Sequence, residues 1–267
     1  MYKQRQKILS SIHNRELQVA IQPIVDARTM HCHSIECLAR LPNVTATQLI
    51  ETADDHSLGH IVSLQVLELS LSSINNVPIP INFNLSPHQL TSEKVTKKIQ
   101  ALLDQYEYPA GSLTIELTET PSSRSTRQML KALTPLLDSG VRLSLDDFGI
   151  GSQSIQRVLD LPLQQLKIDR SFISNIHQSS IKKDIVVAII ELATKHQIEV
   201  VCEGVELAQE SEFLLKNQAY LQQGYLHSTP LLLPYNLHEI SELSSTFCFN
   251  EFWGGELLAN KCISCNI

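Results

Sequence analysis

The sequence predicts an α/β protein, a TIM-type (β/α)8 barrel whose first strand runs antiparallel to the rest. Three observations predict it. Short apolar or alternating runs recur with helical stretches between most of them. The first two runs are joined by a link too short for a crossover. Polar residues close one strand after another at the same end. The strands fall at about 17–25, 33–40, 79–85, 113–118, 141–146, 164–168, 198–203 and 220–226. Helical patterns fall at 93–106, 124–137, 154–159, 181–196 and 209–218. Strands alternating with helices imply parallel pairing. Only about residues 26 to 32 separate the first two strands, whereas a parallel crossover needs about a dozen residues or more. That connection is therefore expected to be a hairpin. An open doubly wound sheet would need a Gly-rich phosphate turn after an early strand, and the sequence has none.

The 267 residues suit one barrel, since this architecture typically uses about 250. The barrel is expected over residues 1–243. A tail at 244–267 changes character and carries Cys248 and Cys262-x-x-Cys265 without a fourth zinc ligand at suitable spacing. The formal charge of −7 argues against DNA or an anionic membrane as the main partner. No apolar run approaches the roughly 18 residues of a membrane span, and the polar start does not resemble a secretory signal. Six cysteines in a chain this long read as reduced thiols, and the expected location is the cytoplasm.

Catalytic groups of such barrels project from the C-terminal ends of the strands. Here those ends carry Glu36, Asn84, Glu116 with Glu119, Asp146-Asp147, Lys167 with Asp169, Glu203 and Gln223. A single acid after a strand is usually a cap or turn residue, and Asp169 before Arg170-Ser171-Phe172 suits that role. Polar groups on seven consecutive strands do not reduce to capping. Acids within apolar strands need compensation, and a shared cation supplies it. Hard oxygen donors select Mg²⁺ or Mn²⁺, while Ca²⁺ could bind without supporting chemistry. Neighbouring strand residues point to opposite faces, but a turn of the backbone at the strand end would let both Asp146 and Asp147 reach neighbouring ions. Two-metal phosphodiester hydrolysis needs such an arrangement. Lys167 could orient a water or stabilise charge on phosphoryl oxygens; its structural alternative is a salt bridge to one of the acids.

With these motifs in order, the chain resembles the EAL domain family over about residues 7–240. The matching segments are Gln22-Pro23-Ile24-Val25-Asp26, Glu36-Cys37-Leu38 with Cys for the family's Ala, Asn84-Leu85-Ser86 and Glu116-Leu117-Thr118-Glu119. Asp146-Asp147-Phe148-Gly149, Leu166 to Phe172, Glu203-Gly204-Val205-Glu206 and Gln223-Gly224-Tyr225 complete the set. The resemblance implies a barrel with an antiparallel first strand that hydrolyses cyclic di-GMP to linear pGpG using two divalent ions, Mg²⁺ or Mn²⁺, with Ca²⁺ inhibitory. Carried over by position, Glu36, Asn84, Glu116 and Asp146 would bind one metal. Asp146 and Asp147 would bind the other, with Glu203 nearby. Lys167 would hold the nucleophilic water, Gln223 would position the water or metal shell, and Glu119 would anchor the loop after strand five. Gln22 and Arg40 would contact the dinucleotide. A homodimer is the expected assembly.

Three departures from the family pattern are visible: Cys37, a short segment after Arg40, and a strand-five loop with Ile150 and Ser152 where Thr or Ala and Tyr are typical. A β-branched residue between two glycines should stiffen that loop. It motivates an alternative reading, an inactive or weak barrel that binds cyclic di-GMP or a protein partner. A glycosidase pair would use two acids and leave the Asn, Lys and Asp-Asp constellation without a role.

Overall fold

The computed structural model describes residues 2–74, 79–117, 126–150 and 154–233. The expected tail at 244–267 and the boundary at 243 lie outside the described residues, as do Glu119 and Ser152.

The chain opens with helix α1 (Tyr2–His13), then β1 (Gln18–Asp26) and β2 (His31–Arg40). Helices α2 (Ala46–Asp55) and α3 (Gly59–Ser73) lead to β3 (Ile81–Leu85). Next come α4 (Glu93–Gln105), β4 (Leu113–Leu117), α5 (Thr126–Asp138), β5 (Arg142–Phe148), α6 (Ser154–Asp160) and β6 (Gln165–Ile168). The short α7 (Arg170–Ile173) and α8 (Ser180–Lys195) precede β7 (Glu199–Cys202), α9 (Ala208–Lys216), β8 (Leu221–Gln222) and β9 (Leu231–Leu232).

β2 to β8 pair in sequence order, all parallel, and β1 closes the ring by pairing antiparallel with both β8 and β2. The β1–β2 hairpin turns within four residues, with the Met30 N–H donating to the Asp26 carbonyl at 2.7 Å. The predicted architecture is therefore the observed one.

Two differences from the sequence reading have physical causes. The eighth strand, expected at 220–226, stops at Gln222 and resumes along β1 as β9, with Ala20 opposite Leu232. The break follows from Gly224, whose backbone lies against the loop after β7. A Cβ there would come within 2.1 Å of the Val205 carbonyl oxygen, so only glycine allows the approach. The second difference is α1, α2 and α3, which the sequence reading did not mark. α2 opens on a capping box: Thr45 Oγ1 accepts from the Gln48 N–H at 3.2 Å, and Gln48 Oε1 accepts from the Thr45 N–H at 3.3 Å.

Strand alternation divides the barrel wall into two chemistries. Ile81, Phe83, Leu85, Leu113, Ile115, Leu117, Leu143 and Leu145 are fully buried. Each such side chain contributes about 1.5–3 kcal/mol relative to an exposed one. The intervening residues are Asn82, Asn84, Thr114, Glu116, Ser144 and Asp146, and on β6 Gln165 and Lys167. All but Asn84 are buried. Where branched apolar residues usually fill a barrel, this bore is polar.

Candidate active site

Lys167 is the centre of the polar bore. Its side chain is 1% exposed, and its ammonium lies 2.6 Å from Glu203 Oε1, 3.1 Å from Glu116, 3.2 Å from Glu36 Oε2 and 3.3 Å from Asp146 Oδ1. These acids come from the residue after β7 and from β4, β2 and β5, so the barrel closure brings sequence-distant groups to one point. Glu36 is further held by Asn84 Nδ2 at 2.8 Å and Gln223 Nε2 at 2.8 Å.

The Asp146-Asp147 pair lies inside β5, which runs two residues past the expected end at 146, and the turn is a kink within the strand. Asp147 has φ of 55°, and the β5–β6 register shifts between Leu145 and Phe148. Aspartate tolerates this left-handed conformation better than most residues. The kink brings carboxylate oxygens of Asp146, Asp147 and Glu203 within 4.8 Å of one another. Glycine is needed two residues on: a Cβ at Gly149 would meet the Phe172 ring at 2.4 Å.

Four carboxylates contact one ammonium, with Asp147 beside them, and burial opposes their ionisation. Glu116 is pushed well up by burial, against the pull of Lys167 and reinforced by Glu36 and Asp146. Burial likewise raises Asp146, against Lys167. Burial pushes Asp147 to about 6, with the Asp146 charge adding. Burial pushes Glu203 to about 8, although Lys167 opposes the shift. Glu36 differs: burial acts upward, but Lys167, Gln223 and Asn84 together hold it below the usual range. Lys167 stays firmly charged, since Asp146, Glu116, Glu203 and Glu36 outweigh its burial.

The residues fit divalent cations. Asn84 Oδ1, Gln223 Oε1 and Asp146 Oδ1 are buried oxygens without a hydrogen-bond donor. Asp146 Oδ1 lies near the ammonium but outside hydrogen-bond geometry. Buried polar atoms are normally satisfied, and hard cations prefer oxygen donors of this kind. Metal binding would compete with the protonation that burial favours at Glu116 and Glu203.

Of the other predicted residues, Gln22 pairs opposite Glu36 across the hairpin and donates from Nε2 to the Ser228 carbonyl at 3.2 Å. Half-buried Arg40 donates to the Ala39 carbonyl. Asp169 has the expected structural role, capping α7 by accepting from the Ser171 N–H at 2.7 Å. Cys37 is buried, as a small apolar residue would be.

Sequence reasoning missed Asn82 and Gln165. Each lies two residues before a predicted site residue, so strand alternation puts it on the same face. Their neutral side chains carried no charge signal. Asn82 Nδ2 donates to Glu116 Oε1 at 2.9 Å and to Gln165 Oε1 at 2.8 Å. Glu210 was missed as well. It is buried and accepts from the N–H groups of Asn175, Glu206 and Leu207 at 2.7–3.0 Å, tying the loop after Glu203 to the start of α9.

This arrangement of elements and acids agrees with comparison to known proteins. The EAL domain family matches residues 5–230. The chain belongs to the EAL domain family. Among relatives of this EAL chain, the Pseudomonas aeruginosa "Cyclic di-GMP phosphodiesterase NbdA" is 31% identical over 242 residues, covering 85% of this chain and 30% of NbdA. The chain thus spans under a third of that relative's length. The structure of the EAL enzyme Bd1971 with cAMP and cyclic di-GMP bound superposes with a TM-score of 0.82 at 25% identity, covering 91% of this chain and 68% of that one. The manganese and cyclic di-GMP complex of Klebsiella pneumoniae BlrP1 gives a TM-score of 0.72 at 26% identity, covering 81% and 56%. Among the described residues, no helix is long and apolar enough to cross a membrane.

Proposed function

We propose that this chain is a metal-dependent phosphodiesterase that opens cyclic di-GMP to linear pGpG. The observation that carries the reading is the cage of acids around Lys167 in an EAL chain, with buried oxygens of Asn84 and Gln223 that accept no hydrogen bond. Glu36, Asn84, Glu116 and Asp146 would hold one divalent ion; Asp146 and Asp147, with Glu203 beside them, would hold the second. Mg²⁺ or Mn²⁺ is the working ion in this reading, and Ca²⁺ is inhibitory. Bound there, the ions neutralise the acids and the substrate phosphate and make water a nucleophile near neutral pH.

The chain's own groups do the rest. Lys167 orients the attacking water and stabilises negative charge building on the phosphoryl oxygens. The donors Gln223 and Asn84 fix the Glu36 carboxylate in one rotamer. Gln22 and Arg40, near the barrel mouth, bind the dinucleotide. Glu119 anchors the loop after β5. Residues 1–243 form the catalytic unit in this reading, and 244–267 an appendage. The chain works without DNA, as its −7 charge favours, and it works as a homodimer in the cytoplasm. Exposed Ile150, Leu159 and Ile181, which are 62%, 74% and 68% accessible, motivate the dimer; sedimentation as a monomer at micromolar concentration would remove it.

Purified protein incubated with cyclic di-GMP and Mg²⁺ or Mn²⁺ tests the activity. Formation of pGpG, lost in Asp146→Ala and Glu36→Ala, is the expected result. No product with any divalent metal, with the nucleotide still bound, would favour the sensing module instead.

A further inference from the structure

The polar bore continues below the acids, and its next layer is built around Asn82. This residue lies on β3 opposite Thr114, while Glu116 lies opposite Asn84. Glu116 nevertheless bonds to Asn82, a contact between neighbouring layers of the bore. Asn82 uses both N–H bonds of its amide: one goes to Glu116 Oε1 at 2.9 Å and the other to Gln165 Oε1 at 2.8 Å. Gln165 comes from β6, with β4 and β5 between it and β3, so the second bond crosses the bore. All three side chains are at most 1% exposed.

We propose that Asn82, braced by Gln165, is a positioning residue that fixes the Glu116 carboxylate for divalent-metal binding. Glu116 is otherwise held only by Lys167 among the described contacts, and that ammonium is shared among four acids. A shared point charge sets no unique carboxylate plane. The amide does, because its planar NH₂ is locked at both hydrogens: Gln165 fixes the amide plane, and the amide fixes Oε1. Partners of this kind typically set metal affinity by about 10–100-fold. The inference rests on the metal-dependent reading above.

Mn²⁺ binding to the purified, substrate-free protein tests it, read by the paramagnetic signal of free Mn²⁺. Asn82→Leu, close in volume and without donors, is expected to weaken binding about 10–100-fold. Gln165→Leu leaves the Glu116 bond but frees the amide plane, and is expected to weaken binding less. The double variant should weaken it no further than Asn82→Leu alone, because the pair acts as a unit. Raising Mn²⁺ should restore turnover in each, with the KM for nucleotide unchanged. Loss of thermal stability with unchanged Mn²⁺ affinity would overturn the inference, as would additive losses in the double variant. If Asn82→Leu does not fold, Gln165→Leu decides: Mn²⁺ affinity within twofold of wild type overturns the proposal. Failure of the wild-type protein itself to bind Mn²⁺ sinks the metal-dependent reading and the inference with it, whereas wild-type binding with unmoved variants sinks the inference alone.

Discussion

Replacing Lys167 by methionine removes the ammonium while nearly keeping the volume, so the change isolates charge. Four carboxylates lie 2.6–3.3 Å from the Nζ that would be lost. Breaking a buried ion pair by deleting one partner costs about 3–5 kcal/mol. For a domain of this size, 1 kcal/mol moves the melting temperature by about 2–4 °C. Lys167→Met should therefore melt about 6–20 °C lower than wild type in chelator at pH 8. The deficit should shrink at pH 5.5, where the stranded acids can take up protons. Saturating Mn²⁺ should raise the variant's melting temperature by more than it raises the wild type's, since the ion replaces the lost charge without competing with an ammonium. Turnover should fall at every metal concentration. Differential scanning calorimetry at the two pH values, with and without Mn²⁺, reads all of this except turnover. A chelated variant within about 2 °C of wild type at pH 8, or a deficit larger at pH 5.5 than at pH 8, would refute the account of Lys167 as the counter-charge of the cage.

Three further outcomes follow from the same geometry. Burial holds the folded-state values of Asp147 at about 6 and Glu203 at about 8, above their ordinary unfolded range near 4. Groups raised on folding contribute stability fully present below the unfolded values and lost as pH climbs through the folded ones. Half-buried His227, pushed down to about 4, acts in the opposite sense up to the ordinary histidine range. Metal-free protein should therefore melt lower as pH rises from about 6.5 to 8, above that range, and Mn²⁺ addition at pH 7 should release protons, measurable with an indicator dye; a rising melting temperature over that window contradicts this. Gly224→Ala drives a Cβ to 2.1 Å from the Val205 carbonyl oxygen, and should cost at least about 1–3 kcal/mol. Urea denaturation with an unchanged midpoint would count against that contact. Glu210→Ala leaves three backbone N–H groups without their acceptor and should cost roughly 1–3 kcal/mol or more, with hydrogen exchange rising first at Asn175, Glu206 and Leu207; unchanged protection there would contradict the capping role.

The barrel was legible in the sequence because two simple rules coincided. Strands alternated with helices, and the short link around residues 26–32 forced the first pair to be antiparallel. The site was legible because charge is conspicuous in an apolar strand, as at Glu116 and Lys167. A turn that lets both adjacent acids face one site was expected at the strand end; the structure makes it a kink inside β5, which runs on to Phe148. Other features depended on contacts that no local pattern carries. α3 packs against α2, α4 and strands β1, β2 and β3, so apolar residues occur around much of it and the one-sided stripe is lost. The Thr45-to-Gln48 capping box was the available signal for α2. The interruption of β8 depends on how closely Gly224 meets the loop after β7, a tertiary contact. Asn82 and Gln165 sat on the correct face by alternation, but only the closed barrel shows that they meet across its bore.

The most direct measurement is a crystal of the protein soaked in Mn²⁺ with diffraction collected at the manganese absorption edge. Two anomalous peaks about 3.5–4 Å apart, one against Glu36, Asn84, Glu116 and Asp146 and the other against Asp146 and Asp147, are the predicted result. A map with no anomalous density at these carboxylates, from a crystal whose protein turns over cyclic di-GMP in the same buffer, would contradict it.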